Sequence, residues 1–161
     1  MKPVLRTALY LFLLSTLTCF QTSGQETPPM TKHEPQSAIP TYATTVLEHG
    51  ARGDAVTDDT AAFQAALDAA ASKGGAVFVP SGTYLIAGSL SVPQGVTLKG
   101  VWESPHHADI GKGSILYATG NKGKEDGPPL LLLHQSSAVV GLTIFYPEQN
   151  IDDIQPYPSW L

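Results

Sequence analysis

The sequence predicts a mainly β protein of coiled, solenoid type, fronted by one short helix. Three observations carry this. Charged residues make up only 14% of the 161, while 15 Gly and 13 Pro punctuate the chain, a mix suited to short strands and turns. One stretch, Thr60–Ser72, has helical periodicity. After it, short apolar runs bounded by Gly, Pro and Ser follow one another without intervening helices and without two-residue Asn-Gly or Asp-Gly hairpin turns.

Residues 1–24 read as a secretory signal. Lys2 and Arg6 precede the apolar run Ala8–Leu14, and Thr22–Gly24 offers small residues for cleavage. Ser, Thr and Gln from Ser15 onward interrupt the run, so it falls short of the roughly 20 apolar residues of a spanning helix. Membrane contact is therefore expected through the signal alone. Lipid anchoring at Cys19 is the lesser reading, because Thr18 poorly suits the position before a lipidated cysteine. Cleavage after Gly24 removes the single cysteine, and with it any disulfide or thiolate chemistry. It also leaves seven basic against fourteen acidic residues with no basic cluster, which argues against nucleic acid as a partner. Residues 25–41, with four prolines up to Pro40, read as a disordered linker. Residues 42–161 form the domain.

Within the domain, residues 44–49 are expected to make one short strand before a turn at 50–54. In the helix, Phe63, Ala66, Leu67 and Ala70 make a narrow stripe that is mostly alanine, so the helix must lie close to whatever it covers. Lys73–Gly75 ends it, with a cation at the negative end and glycines able to take positive φ. Strands are then predicted around Phe78, Leu85, Leu98, Ile115, Leu131 and Leu142, with a further apolar run at 90–94.

Asp58 and Asp59 stand directly before the helix. An acid/base pair is one reading, but a carboxylate there accepts the free N–H groups of the first turn and meets the positive end of the helix dipole, which explains both without catalysis. Calcium is the weaker alternative. Asp54 and Asp58 have the spacing of first and fifth loop ligands, yet Val56, Asp59 and Ala65 occupy the places of the third ligand, the required Gly and the closing Glu.

The run 50–86 resembles the start of the pectate-lyase-like superfamily domain, of the rhamnogalacturonase/epimerase-like kind. The resemblance rests on Gly53, Asp54, Thr57–Thr60, Gly74, Gly75, Pro80, Gly82 and Tyr84 in that order, and covers residues 46–100 closely. Ala55 stands where the family usually has Gly, a departure touching only the turn. The resemblance implies a right-handed parallel β-helix with its short N-terminal α-helix covering the first coil. It further implies a secreted carbohydrate-active protein, a polysaccharide (pectin-like) hydrolase or lyase; the alternative is a non-catalytic polysaccharide-binding or adhesive module. Catalytic acids in the family usually lie on later coils. No matching motif is present here, so no catalytic residue is assigned, and neither a cofactor nor a metal is expected. The lack of a polar closing element after the last strand suggests the N-terminal part of a longer protein, inactive alone. Alternatively, residues 147–161 fold over the end.

Among remaining candidates, His106 and His107 point in opposite directions on an extended chain, and Asp109 or Glu103 could join only one of them, so a solvated loop is preferred to a metal site. His134 ends a leucine run and is expected to hydrogen-bond at the surface. Tyr146 and Trp160 could stack on sugar rings while Glu148, Asp152 and Asp153 bind hydroxyls, making 145–153 the best candidate for substrate contact, against polar loop decoration. The segment 120–129 is a flap beside a groove or an exposed loop, and not a phosphate loop.

Overall fold

The structure, a computed structural model, describes residues 42–103 and 110–159. The expected signal and linker, Cys19, His106, His107, Asp109 and Trp160 lie outside the described residues.

The chain winds as a right-handed parallel β-helix. Strands β1 (Tyr42–Thr45), β3 (Gly75–Val79), β6 (Val96–Gly100) and β9 (Ala138–Val140) form one sheet. A second holds β2 (Asp54–Asp58), β4 (Gly82–Ile86), β7 (Ser114–Ala118) and β10 (Thr143–Phe145); a third holds β5 (Leu90–Val92) and β8 (Leu131–Leu133). Here they are called the first, second and third sheets. Every strand pairing among them is parallel, so each circuit of the chain visits the sheets in the same order and lies on the circuit before it.

Register decides what is inside. Val77, Leu98 and Val139 stack in the first sheet, Tyr84, Leu116 and Ile144 in the second, and Leu90 on Leu131 in the third. These ladders fill the interior together with Ile86, Val92, Val96 and Ala118. The alternating burial of β3 to β6 follows from period-2 side chains on a curved, one-sided sheet.

The helix α1 (Thr60–Ala71) occupies the third-sheet place in the first circuit, where it packs beside β5. Phe63, Ala66, Leu67 and Ala70 are all fully buried, as the stripe requires. Phe63 meets Tyr84 edge-on at 5.1 Å between centroids. Sequence alone did not reveal how the helix closes the strand edge. Gln64 Oε1 accepts the Ser91 N–H (2.9 Å) and Gln64 Nε2 donates to the Ser91 carbonyl (3.1 Å), so one side-chain amide replaces the missing neighbour of β5. Thr60 Oγ1 likewise accepts the Ala87 N–H at 3.0 Å.

Three expectations change in detail. Residues 44–49 divide: β1 ends at Thr45, and Val46–His49 form a 3₁₀ helix whose capping box pairs Thr45 with Glu48. The turn expected at 50–54 gives way at Asp54 to a strand that was not expected, Asp54–Asp58, because its parallel partner β4 supplies the pairing that its own polar sequence does not advertise. The last apolar run is two strands in different sheets, broken at Gly141 (φ +70°), where a Cβ would collide with the Gly100 carbonyl.

Truncating Gln64 to Ala removes both bonds to Ser91. The expected loss is about 1–3 kcal/mol in urea unfolding, with increased self-association through the uncovered β5 edge, read by light scattering. Ala55 adopts φ +63°, the left-handed region that favours glycine. Ala55→Gly should therefore stabilise the chain by about 0.5–1 kcal/mol, the relief of steric strain outweighing the added freedom of the unfolded chain.

Candidate functional site

The two aspartates before the helix prove structural, by different routes. Asp58 Oδ1 accepts the Thr60 N–H (3.0 Å) and the Thr60 hydroxyl (2.5 Å), tying down the first helical residue. Asp59 makes no side-chain bond to the helix it precedes. Its buried carboxylate instead receives the Arg52 N–H (2.8 Å) and the Gly53 N–H (3.0 Å), clamping the chain on entry to β2. Gly53 (φ +64°) lies so near the Tyr84 ring that a Cβ would stand 2.9 Å from it, and Tyr84 Oη donates to the Pro80 carbonyl (2.9 Å). Burial, then the nearby Asp59 carboxylate, push the Tyr84 phenol up. The motif residues Gly53, Asp59, Pro80 and Tyr84 thus meet at one point as a structural lock.

Asp54 opens β2 on the surface, where the pairing with β4 is irregular and its side chain closes a local turn. Its carboxylate accepts the Thr57 N–H (2.7 Å), the Val56 N–H (3.0 Å) and the Thr57 hydroxyl (2.8 Å), which hold its pKa down at about 2. All three acceptor contacts are consumed locally, an arrangement of a turn and not of a calcium loop.

The segment proposed for sugar contact folds upon itself. Gln149 Nε2 donates to the Gln155 carbonyl (2.6 Å), Gln155 N–H donates back to Gln149 Oε1 (3.2 Å), and Gln155 Nε2 donates to Asp153 Oδ1 (2.7 Å). Glu148 pairs with Lys122 at 3.3 Å on the surface, and Asp152 is exposed. Tyr146 lies against Tyr157, 4.5 Å between centroids, and packs on the core, so Tyr146 serves as a wall and not as a free sugar platform. The Gly123 N–H donates to the Pro156 carbonyl (2.8 Å), seating this segment on the 119–130 insertion. Among the described residues, no three of His, Cys, Asp and Glu come together to hold a metal ion.

What the coil stacking does assemble lies on the third sheet and its turn into the first. Leu90 and Val92 of β5 point inward, which leaves Ser91 outward. Beyond β8, His134 reaches back across the coil boundary, its Nε2 2.9 Å from Ser91 Oγ. With Pro93, Gln94 and Gln135 these two side chains line an open recess of about 340 Å³. The Gly95 N–H donates to the Gln135 carbonyl, holding the two turns in register at 3.3 Å. Ser91 itself cannot drift, since Gln64 holds its backbone on the other side and Gln64 in turn donates to Asp68 (2.9 Å). The expected surface hydrogen bond of His134 is found. Ser91, Gln94 and Gln135 were not foreseen, because Ser91 and His134 meet only through the β5–β8 pairing.

This geometry can be set beside known proteins. The family described as rhamnogalacturonase A/epimerase, pectate lyase-like, matches residues 43–127. The chain belongs to this family. A non-secreted LysM effector, LysM19 of Penicillium expansum, is 37% identical over 86 residues, which are 50% of this chain and 7% of the relative. Mannuronan C5-epimerase AlgE5 of Azotobacter vinelandii is 57% identical over 44 residues, 27% of this chain and 4% of the epimerase. Among solved structures, the A-module of mannuronan C-5 epimerase AlgE4 of the same organism superposes with a TM-score of 0.50 at 26% identity, over 72% of this chain and 30% of the module. The chain thus spans a small part of the relatives it matches. The pectate-lyase-like match covers the helix, the lock at Tyr84 and the first coils; the recess lies partly beyond it, since His134 and Gln135 follow residue 127.

The Asp54 turn gives a pH test. Its folded pKa lies below the usual 3.8, so ionised Asp54 favours the folded chain above about pH 4, and this contribution fades as pH falls through about 2. An Asp54→Asn variant should be less stable than the parent near neutral pH, with the difference shrinking between about pH 4 and about pH 2 in acid-unfolding curves.

Proposed function

We propose that this chain is the N-terminal part of a secreted, carbohydrate-active β-helix enzyme that modifies a uronate-containing polysaccharide, by elimination, hydrolysis or epimerisation. The observation that carries the reading is the superposition of the coil stack on the epimerase A-module, together with the family match over 43–127. The pectin-like substrate implied by the sequence and the mannuronan named for the two epimerases are both polymers of uronic acid. Secretion is supported by Lys2, Arg6 and the apolar run 8–14. The catalytic acids would lie on coils that stack beyond β8, β9 and β10: a hydrolytic site needs carboxyls held at about 5–5.5 or about 6.5–9.5 Å, and of the acids at 148–153 Glu148 is paired with Lys122 and Asp153 accepts from Gln155.

A second reading is a non-catalytic polysaccharide-binding module; the relative that matches half of this chain is named as an effector and not as an enzyme. The two separate in one experiment. The product of the whole reading frame is incubated with polymannuronate, pectate and a neutral polymer. New ultraviolet absorbance reads elimination, reducing ends read hydrolysis, and proton NMR reads inversion at C5. Conversion of a polyuronate is the expected result. Retention on a polysaccharide affinity gel without conversion would transfer the assignment to the binding module, and neither retention nor conversion would overturn both.

A further inference from the structure

We infer that Ser91, Pro93, Gln94, His134 and Gln135 form a saccharide subsite at the outer face of the third sheet, and that it takes a neutral unit of a mixed, uronate-containing polysaccharide. The inference rests on the reading of the protein as polysaccharide-acting and adds to it the location and the chemistry of one contact.

Four features support it. The recess is of a size found in small-ligand sites, about 340 Å³ against the roughly 300–1,000 Å³ of such pockets. Its polar lining consists of a hydroxyl, an imidazole and two carboxamides, groups that both donate and accept. A sugar hydroxyl also donates and accepts, so this lining can satisfy a row of hydroxyls whichever way each proton points. The lining contains no Lys or Arg, so a carboxylate entering it meets no ammonium or guanidinium partner, whereas a hydroxyl finds partners throughout. Finally, the recess has an apolar side: the Pro93 ring lines it, and Leu132, the outward partner of Ser91 across the β5–β8 pairing, is 49% exposed. A pyranose presents C–H faces as well as hydroxyls and fits a surface of both kinds.

The subsite is also held ready. Ser91 is fixed by the Gln64 amide through its backbone and by His134 through its hydroxyl, while the Gly95–Gln135 bond sets the spacing of the two turns that carry Gln94 and Gln135. Little ordering is then left for the moment of binding. A Ser–His pair is also found in activated nucleophiles, but this one sits on an open surface among carboxamides, where binding is the chemistry the lining supports.

The test compares two ligands that differ in the carboxylate. Amide spectra of the product of the whole reading frame, its signal removed, are recorded during titration with mannotetraose and, separately, with tetramannuronate at matched ionic strength. Mannotetraose should shift the amides of Ser91, Gln94 and Gln135 and bind more tightly than tetramannuronate. His134→Ala and Gln135→Ala should each weaken it by about fivefold to tenfold, whereas Trp102→Ala, in the insertion between β6 and β7, should leave it unchanged. Urea midpoints of all variants confirm folding. Absence of shifts at these residues, tighter binding of tetramannuronate, or indifference to both substitutions would overturn the inference. If the subsite fails while the full reading frame converts a polyuronate, only the subsite falls; if mannotetraose binds while no polymer is converted, the enzymatic reading falls and the subsite stands.

Discussion

A parallel coil stack must begin somewhere, and its first strand edge presents N–H and C=O groups with no strand to receive them. The rest of this structure depends on how that edge is closed. Most of the closure is geometric: α1 lies where a strand would lie, and alanines at 66 and 70 bring its axis close to β5. The decisive contact is chemical. A carboxamide has the same donor and acceptor as a peptide group, and Gln64 uses both on Ser91 as a neighbouring strand would. With Thr60 receiving the Ala87 N–H, the helix satisfies backbone that would otherwise recruit another chain. Once that first layer is fixed, each later coil finds a complete template.

This division explains what could be read from the sequence. The helix was legible because its apolar positions recur at helical spacing, and β3 to β7 were legible because their apolar runs stand between turn residues. β2 was not. Its polar and small residues show no hydrophobic pattern, and it becomes a strand by pairing with β4. The split at Gly141 was hidden in an unbroken apolar run, since period-2 patterning does not announce where a chain changes sheets. Asp58 and Asp59 were placed correctly at the helix start, but adjacency concealed their different partners: one turns to the helix, the other back to Arg52 and Gly53.

The candidate site was less legible for a related reason. Ser91 and His134 are far apart in the chain, and the separation between paired residues is not constant, because insertions of different length leave the stack at 101–113 and 119–130. Without a fixed period there is no repeat to align, and the Ser–His contact cannot be inferred from spacing. The acids at 148–153 attracted attention because they cluster in sequence. In three dimensions that stretch is a turn stapled by Gln149 and Gln155, with Asp153 held inside it and Glu148 paired with Lys122.

Such a fold constrains where its chemistry can be. β5 and β8 are three residues long, and Leu90, Val92 and Leu131 are committed to the interior, so each circuit offers the outer face of the third sheet only one or two side chains. A site for a small molecule cannot be built from one coil. It must be recruited from successive coils, one contribution every ~4.8 Å along the axis, which is the spacing of paired strands. The natural ligand of such a surface is itself extended, and it meets a row of side chains whose order is set by backbone pairing and not by the chain's own sequence neighbours. Leu133 shows the same logic at the other end: its counterpart Val92 is buried, whereas Leu133, on the last described strand of its sheet, is 37% exposed. A further coil laid on β8 would bury Leu133 and extend the same outer row, so covering the core and lengthening the outer face are one structural event.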